Sequence, residues 1–214
     1  MKPIVPNTRQ RMDGVKMLAR MAAASADLVF FDPQYRGGLD RLGYGNEGER
    51  QKGRASLKQM DDRTITAFVS AIEFVLKPSA HLMLWCDKFT IVERRWWTWI
   101  FPDDSLEPVD LITWDKCRIG MGYRSRTQTE FLLILQKPPK RAKGIWTKHD
   151  IPDSWPEHSD RSGHPHAKPI QLQTELIKAC TKRGDLVVDP AAGSYSVMEA
   201  AHRCGRQFIG CDIG

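Results

Sequence analysis

No stretch of the 214 residues approaches the ~18 consecutive apolar positions that a membrane-spanning helix needs. The opening Met1-Lys2-Pro3-Ile4 lacks the apolar core of a secretion signal. Cysteine is sparse: Cys86, Cys117, Cys180, Cys204 and Cys211 are scattered, odd in number and contain no C-x-x-C pair. That argues against a disulfide framework and for reduced, structural thiols in a cytoplasmic protein. His164 and His166 are spaced like a metal pair, but no Cys or acid completes a set, so no metal is expected. Internal repeats and low-complexity tracts are absent too.

What remains is an ordinary globular composition, 41% hydrophobic and 27% charged, in a chain suited to one α/β domain over 1–214. The net charge of +6 points to an anionic partner. Basic residues concentrate in two segments. One is the glycine-rich 36–63, which includes Arg36 and Arg41 and is diluted by acids. The other is Lys137-Pro138-Pro139-Lys140-Arg141-Ala142-Lys143, which has none.

Two motifs carry chemistry. The apolar strand Leu28-Val29-Phe30 closes on Phe31-Asp32-Pro33-Gln34-Tyr35. A carboxylate, a rigid Pro carbonyl and an aromatic ring at a strand end form a clamp for a planar amino group. Asp32 can accept one N–H, the Pro33 carbonyl can accept the other, and Tyr35 can stack on a ring that carries the amine. This is chemistry suited to methylating an exocyclic amine of a nucleobase. Far downstream, Gly184-Asp185-Leu186-Val187-Val188-Asp189-Pro190-Ala191-Ala192-Gly193-Ser194 reads as a strand, an acid and a small-residue turn before a helix over 197–202. Such a turn lets a ligand approach the backbone at the C-terminal edge of a parallel sheet, and the following helix aims N–H groups at it. The next strand, 207–212, ends in Asp212, placed to grip a ribose diol.

With His164-Pro165-His166-Ala167-Lys168-Pro169 just before the second motif, the chain resembles the β-class DNA amino-methyltransferases, which use S-adenosylmethionine. The order, catalytic block first and cofactor block last, is that of the class. The resemblance covers 11–35, 65–136 and 163–212. It implies a Rossmann-like methyltransferase fold: a permuted, mostly parallel sheet with helices on both faces and an antiparallel strand pair. It also implies a catalytic site of Asp32, Pro33 and Tyr35. The cofactor site it implies takes Asp13, Asp32, His164, Lys168, Pro169, Asp189, Pro190, Ala191, Gly193, Ser194 and Asp212, with Lys168-Pro169 at the cofactor's methionine end. Asp13 reads equally as a simple helix N-terminal acid.

Double-stranded DNA is the expected partner, through Tyr35, Arg36, Arg41, Lys137, Lys140, Arg141 and Lys143. A short target-recognition segment is expected at 136–163, and dimers are common in the family. Asp32, where N4-cytosine enzymes usually carry Ser, favours adenine N6 as the target, within the methylation chemistry of restriction–modification. N4-cytosine methylation and a non-catalytic nucleic-acid-binding relative are the alternatives. Three positions depart from the family pattern: Gln34 replaces a second proline, Ala191 a phenylalanine and Tyr195 a glycine. Gln34 is expected to loosen the turn, Ala191 to leave the adenine-facing wall less filled, and Tyr195 to crowd the loop.

Elsewhere the spacing predicts helices over 15–24, 64–76, 89–100 and 170–181 and strands over 27–31 and 80–86. An antiparallel pair is expected from 109–114 and 130–136, and 152–165 should be irregular. Trp96, Trp97 and Trp99 beside Arg94 and Arg95 read as core on one side, with a base-stacking or dimer face on the other. Trp114-Asp115-Lys116, at a strand end on the catalytic side, is a candidate wall of the base pocket.

Overall fold

The computed structural model describes residues 4–34, 60–100, 105–120, 124–158 and 167–213. Among these, eight strands form one sheet in the order β1-β8-β7-β2-β3-β5-β4-β6. The strands are β1 (Gln10–Arg11), β2 (Ala26–Phe31), β3 (Leu76–Cys86), β4 (Glu107–Asp115), β5 (Thr129–Gln136), β6 (Ser154–Pro156), β7 (Leu186–Asp189) and β8 (Gln207–Asp212). Every strand runs in one direction except β5, which pairs antiparallel with both β3 and β4. Six helices follow in chain order: α1 (Gly14–Leu18), α2 (Asp62–Val75), α3 (Lys88–Val92), α4 (Arg95–Ile100), α5 (Ile170–Cys180) and α6 (Ser196–Arg203). The permuted sheet and its antiparallel pair are as expected.

Period-two alternation divides the core into two layers. Val29 and Phe31 of β2 face one way, with Leu82, Leu84, Leu133 and Leu135, and are covered by Ile65, Phe68, Val69 and Ile72 of α2 and by Met17, Leu18 and Trp99. Phe31 stacks on Phe68 with ring centroids 4.9 Å apart. Leu28 and Phe30 face the other way, with Met83, Trp85, Ile112, Trp114, Leu132 and Ile134, under α5 and α6. Buried apolar surface on this scale, at roughly 25 cal/mol per Å², is the main stabilising term. Asp61 caps α2 by accepting from the Thr64 N–H at 2.8 Å.

Several elements differ from expectation. The helix expected over 89–100 is two short helices, because Arg94 between them adopts φ 54° and breaks the ladder. The first helix ends at Leu18, and the chain then docks on the end of α2, where the Ala24 and Ser25 amides donate to Phe74 and Val75 carbonyls. Residues 154–156, expected to be irregular, pair with β4 as β6. Residues 137–158 form a strap whose Trp146, Ile151 and Trp155 pack against the α5/α6 layer.

The topology brings distant motifs together. β2 and β7 are neighbours, with Val29 opposite Val188, so both motifs emerge at one sheet edge. A sheet edge where connections depart to opposite sides is where α/β folds hold ligands.

Candidate active site

Asp32 directly follows β2 and continues the face of Phe30, so its carboxylate lies at the rim of the α5/α6 layer. Alternation places three more side chains on that face. Glu130 lies two residues before Leu132, Lys116 two residues after Trp114, and Trp85 is next to the end of β3. Lys168, just ahead of α5, reaches into the middle of them. Its ammonium lies 2.9 Å from Asp32 Oδ2 and 2.8 Å from Glu130 Oε2, and 5.1 Å from the centroid of the Trp85 ring. The other Glu130 oxygen accepts from Lys116. The result is a chain of alternating charge, Asp32, Lys168, Glu130 and Lys116.

Burial pushes the Asp32 carboxyl above its usual range; Lys168 pulls it back and Glu130 adds to the rise. Burial acts on Glu130 as well, but the Lys168 and Lys116 ammoniums outweigh it and hold that carboxyl at about 2. Burial works against the Lys168 charge, yet its two carboxylates keep the ammonium above the ordinary lysine range.

The corner carrying Lys168 is itself fixed. Glu157, next to β6, accepts from the Gln171 and Leu172 amides at 2.9 and 3.0 Å, capping the first turn of α5. Its second oxygen also accepts from Trp155 Nε1, and its backbone carbonyl from Trp114 Nε1. Trp114 therefore braces the site from within the core, while Lys116 joins the charged chain.

Beside this lies the turn after β7. Asp189 is buried, with a carboxyl pushed by burial to about 8, and accepts from the Ala191 amide at 3.1 Å. Gly193 adopts φ 45° and donates its N–H to Asp212 Oδ2 at 3.2 Å. A Cβ there would meet nothing nearer than the Ala191 carbonyl oxygen at 4.0 Å, so the turn opens on free space. Ser194 completes the turn and Pro190 is buried beneath it. Gly14 lets α1 pack against that proline: a Cβ on it would sit 2.1 Å from the Pro190 carbonyl oxygen. Asp13 caps α1, accepting from Lys16 N–H at 2.9 Å, and the adjacent Met12 amide donates to the Asp212 carbonyl at 3.1 Å. Small residues, an open glycine and acids at the rim suit an adenosyl group.

Tyr195 does not crowd this turn. It holds φ 61° and turns inward, 8% exposed, against Phe208. Its hydroxyl donates to the Gln10 carbonyl at 2.9 Å and accepts from the Gln10 amide at 3.1 Å. A residue expected to obstruct instead fastens β1, and with it the approach to Asp13.

Residues 26–214 match the DNA methylase family model N6_N4_Mtase. The chain belongs to the N6/N4 DNA methylase family. It is 48% identical over 208 residues to the type II methyltransferase M.HhaII of Haemophilus parahaemolyticus, covering 97% of this chain and 91% of that one. It is 44% identical over 240 residues to the DNA adenine methyltransferase YhdJ of Escherichia coli K12, covering 94% and 76%. In fold it resembles an M1.HpyAVI–SAM complex, with TM-score 0.68, 18% identity and coverage of 97% and 93%. It also resembles the cytosine-N4-specific PvuII DNA methyltransferase, with TM-score 0.74, 16% identity and coverage of 99% and 83%. M1.HpyAVI is solved as a complex with S-adenosylmethionine, and the open turn of this chain fits a cofactor of that kind.

Asp32, buried Pro33, Lys168, Pro169, Asp189, Pro190, Ala191, Gly193, Ser194, Asp212 and Asp13 thus gather at one edge of the sheet. Tyr35, Arg36, Arg41 and His164 lie outside the described residues. The run 137–143 is not at this edge. Because β5 is reversed, its end at Gln136 pairs with Glu107 at the start of β4 and with His81 midway along β3, roughly 20 Å of strand from Glu130. There Lys137 pairs with Glu73 at 3.0 Å and Lys140 with Glu107 at 2.9 Å, while Arg141 and Lys143 are exposed. The tryptophan cluster is largely structural: buried Trp99 donates to Asp62 at 2.9 Å, and Arg95 bonds the same oxygen. Among the described residues no helix is long and apolar enough to cross a membrane, and no group of His, Cys, Asp and Glu is arranged to hold a metal.

The sequence reading missed Glu130, the pairing of Lys116 with it (Lys116 being expected only as a wall of the base pocket) and Glu157. For the first two a signal existed: each is a charged residue extending the buried face of a strand, as in Glu130-x-Leu132-x-Ile134 and Ile112-x-Trp114-x-Lys116.

Proposed function

We propose that this chain transfers a methyl group from S-adenosylmethionine to N6 of a flipped-out adenine in double-stranded DNA. The observation that carries the reading is the Asp32 carboxylate at the β2 edge, with a lysine on one oxygen and beside the open β7 turn. The name of the 44%-identical relative YhdJ, a DNA adenine methyltransferase, supports adenine over cytosine.

Asp189, Pro190, Ala191, Gly193, Ser194 and Asp212 would hold the cofactor, with Asp13, Lys168 and Pro169 beside them; bound there, it supplies an electrophilic methyl group. The nitrogen lone pair of an adenine amine is delocalised into the ring and is a weak nucleophile. Asp32 and the Pro33 carbonyl, accepting its two hydrogens, favour a tetrahedral nitrogen and stabilise the positive charge that grows on it during attack. A duplex hides this amine, so the base must leave the stack to reach Asp32. Tyr35, which follows the clamp in sequence, is assigned the stacking role, worth about 1–3 kcal/mol per base. Burial keeps Cys86 and Cys211 protonated, and the reaction requires no covalent enzyme intermediate.

For the DNA face, the support lies in the β4–β5 loop, which leaves the Asp32 edge and exposes Arg118, Arg124 and Arg126. Phosphate contacts from such residues make binding weaken with salt. Recognition by 136–163 is proposed from its far end, where the Glu157 amide donates to the Asp115 carbonyl at 3.0 Å.

The test is transfer of labelled methyl to unmethylated duplex DNA, followed by nucleoside mass spectrometry, for the wild type and Asp32→Ala. The expected product is N6-methyladenine, absent with Asp32→Ala although cofactor binding persists. N4-methylcytosine would overturn the base assignment, and substantial turnover by Asp32→Ala would overturn the clamp.

A further inference from the structure

We infer that Glu130 is a positioning residue for methyl transfer: it anchors Lys168 so that the ammonium rests on Asp32 Oδ2 and leaves Oδ1 to meet the target amine. The inference rests on the Asp32 clamp proposed above and adds a residue that does not touch the reacting atoms.

A lysine is a point charge on a flexible four-carbon stem, and one carboxylate does not fix where it lies. Lys168 is held from three directions: by Asp32 Oδ2 at 2.9 Å, by Glu130 Oε2 at 2.8 Å and by the face of Trp85. Its side chain is only 14% exposed, so water offers little alternative solvation. Glu130 is fixed in turn, since its backbone is in the β5 ladder opposite Trp114 and its second oxygen is bonded to Lys116. Each charge has opposite neighbours on a rigid strand or helix end, the condition under which a buried ion array orients its members.

The arrangement also sets charge at Asp32. Lys168 and Lys116 favour its ionised form and Glu130 opposes it. Asp189 from β7 and Cys86 from β3 also face it. Burial raises the carboxyl of Asp189 to about 8 and raises the Cys86 thiol above its ordinary range, so both are neutral across the acid limb of a pH–rate profile.

The experiment compares Glu130→Ala and Glu130→Gln with wild type in single-turnover transfer to duplex DNA at saturating cofactor, with cofactor Kd measured separately. A misplacement near 1 Å costs about 100-fold in rate. Glu130→Ala is expected to lose about that factor in the transfer rate at saturating cofactor. Glu130→Gln keeps an acceptor for Lys168 and is expected to restore most of the rate. It also removes a negative charge near Asp32, so its acid limb moves to lower pH. Glu130→Ala running at the wild-type rate, or losing activity only through cofactor Kd, would overturn the inference. If Glu130→Ala fails to fold, the glutamine variant decides: a large rate loss or an unmoved acid limb overturns it. Asp32→Ala, run alongside, separates the two claims: if it is active the clamp itself fails, and if it is inactive while Glu130→Ala is unimpaired only the positioning role fails.

Discussion

Replacing Lys168 with Met keeps the stem's length and its contact with Trp85 while removing the charge that bridges Asp32 and Glu130. An exposed ion pair is worth about 0–1 kcal/mol, and breaking a buried one costs about 3–5 kcal/mol. Lys168 is nearly buried but the Asp32 side chain is 37% exposed, which places the loss between those limits, at about 2 kcal/mol. That corresponds to roughly 1.5 pH units. The sign follows from the charges: losing a cation disfavours the carboxylate, and Glu130, left with Lys116 as its remaining partner, acts on Asp32 as a less compensated like charge. The Asp32 pKa therefore rises, and the acid limb of the single-turnover rate moves up by about that amount. Well below the limb the variant should run about 30-fold slower than wild type. The assay is a pH series at saturating cofactor, so that any role of Lys168 in cofactor binding does not enter. An unmoved limb, or one displaced downward, would refute the claim that Lys168 sustains the ionised Asp32.

Two further outcomes are expected. Tyr195→Phe removes both bonds between the hydroxyl and the Gln10 backbone, each worth about 0.5–1.5 kcal/mol. Its thermal midpoint should fall and its cofactor Kd rise while the saturated transfer rate holds; an unchanged Kd would show that β1 does not steady the cofactor edge. Asp189→Asn should stabilise the cofactor-free protein in a pH-dependent way. Asp189 has a folded pKa raised to about 8, so the folded state retains a proton that the unfolded chain releases near 4. Wild-type stability accordingly declines from about pH 4 to 8 at this site, and the advantage of asparagine grows over that window and levels off above it. A difference between the two proteins that is constant with pH would contradict this.

Much of the fold was legible because its signals are local. The runs at 26–31 and 207–212 are short and apolar, and α2 repeats its buried residues at helical spacing from Ile65 to Val75. The candidate site was legible where two blocks end apolar strands, at Asp32 and Asp189, which the fold makes parallel neighbours. What escaped depends on contacts distant in sequence. The left-handed turn at Arg94 splits a helix that periodicity reads as continuous. Tyr195 looks obstructive beside Gly193, and only its bonds to Gln10, 185 residues away, give it a role. Glu157 lies in a stretch with no periodic pattern, and only the docking of the strap shows it to be the cap of α5.

The reversed strand β5 decides how the charges of this chain divide. Had β5 run parallel to its neighbours, Gln136 and the basic run after it would emerge beside Asp32, and Glu130 would lie at the far end. Because it is antiparallel, Glu130 and the arginine-bearing β4–β5 loop reach the Asp32 edge, while 137–143 leaves from the opposite one. One strand direction therefore supplies the acid bonded to Lys168 and decides which basic residues share the Asp32 edge. A sequence shows a strand's period but not its direction, so the basic run that is most conspicuous in sequence lies away from the chemistry. Charge-reversal of Arg118 and Arg124 should accordingly weaken DNA binding and reduce its salt slope more than reversal of Arg141 and Lys143. A larger effect from the 141/143 pair would place the DNA across the other end of the sheet and overturn this assignment of the DNA-facing surface.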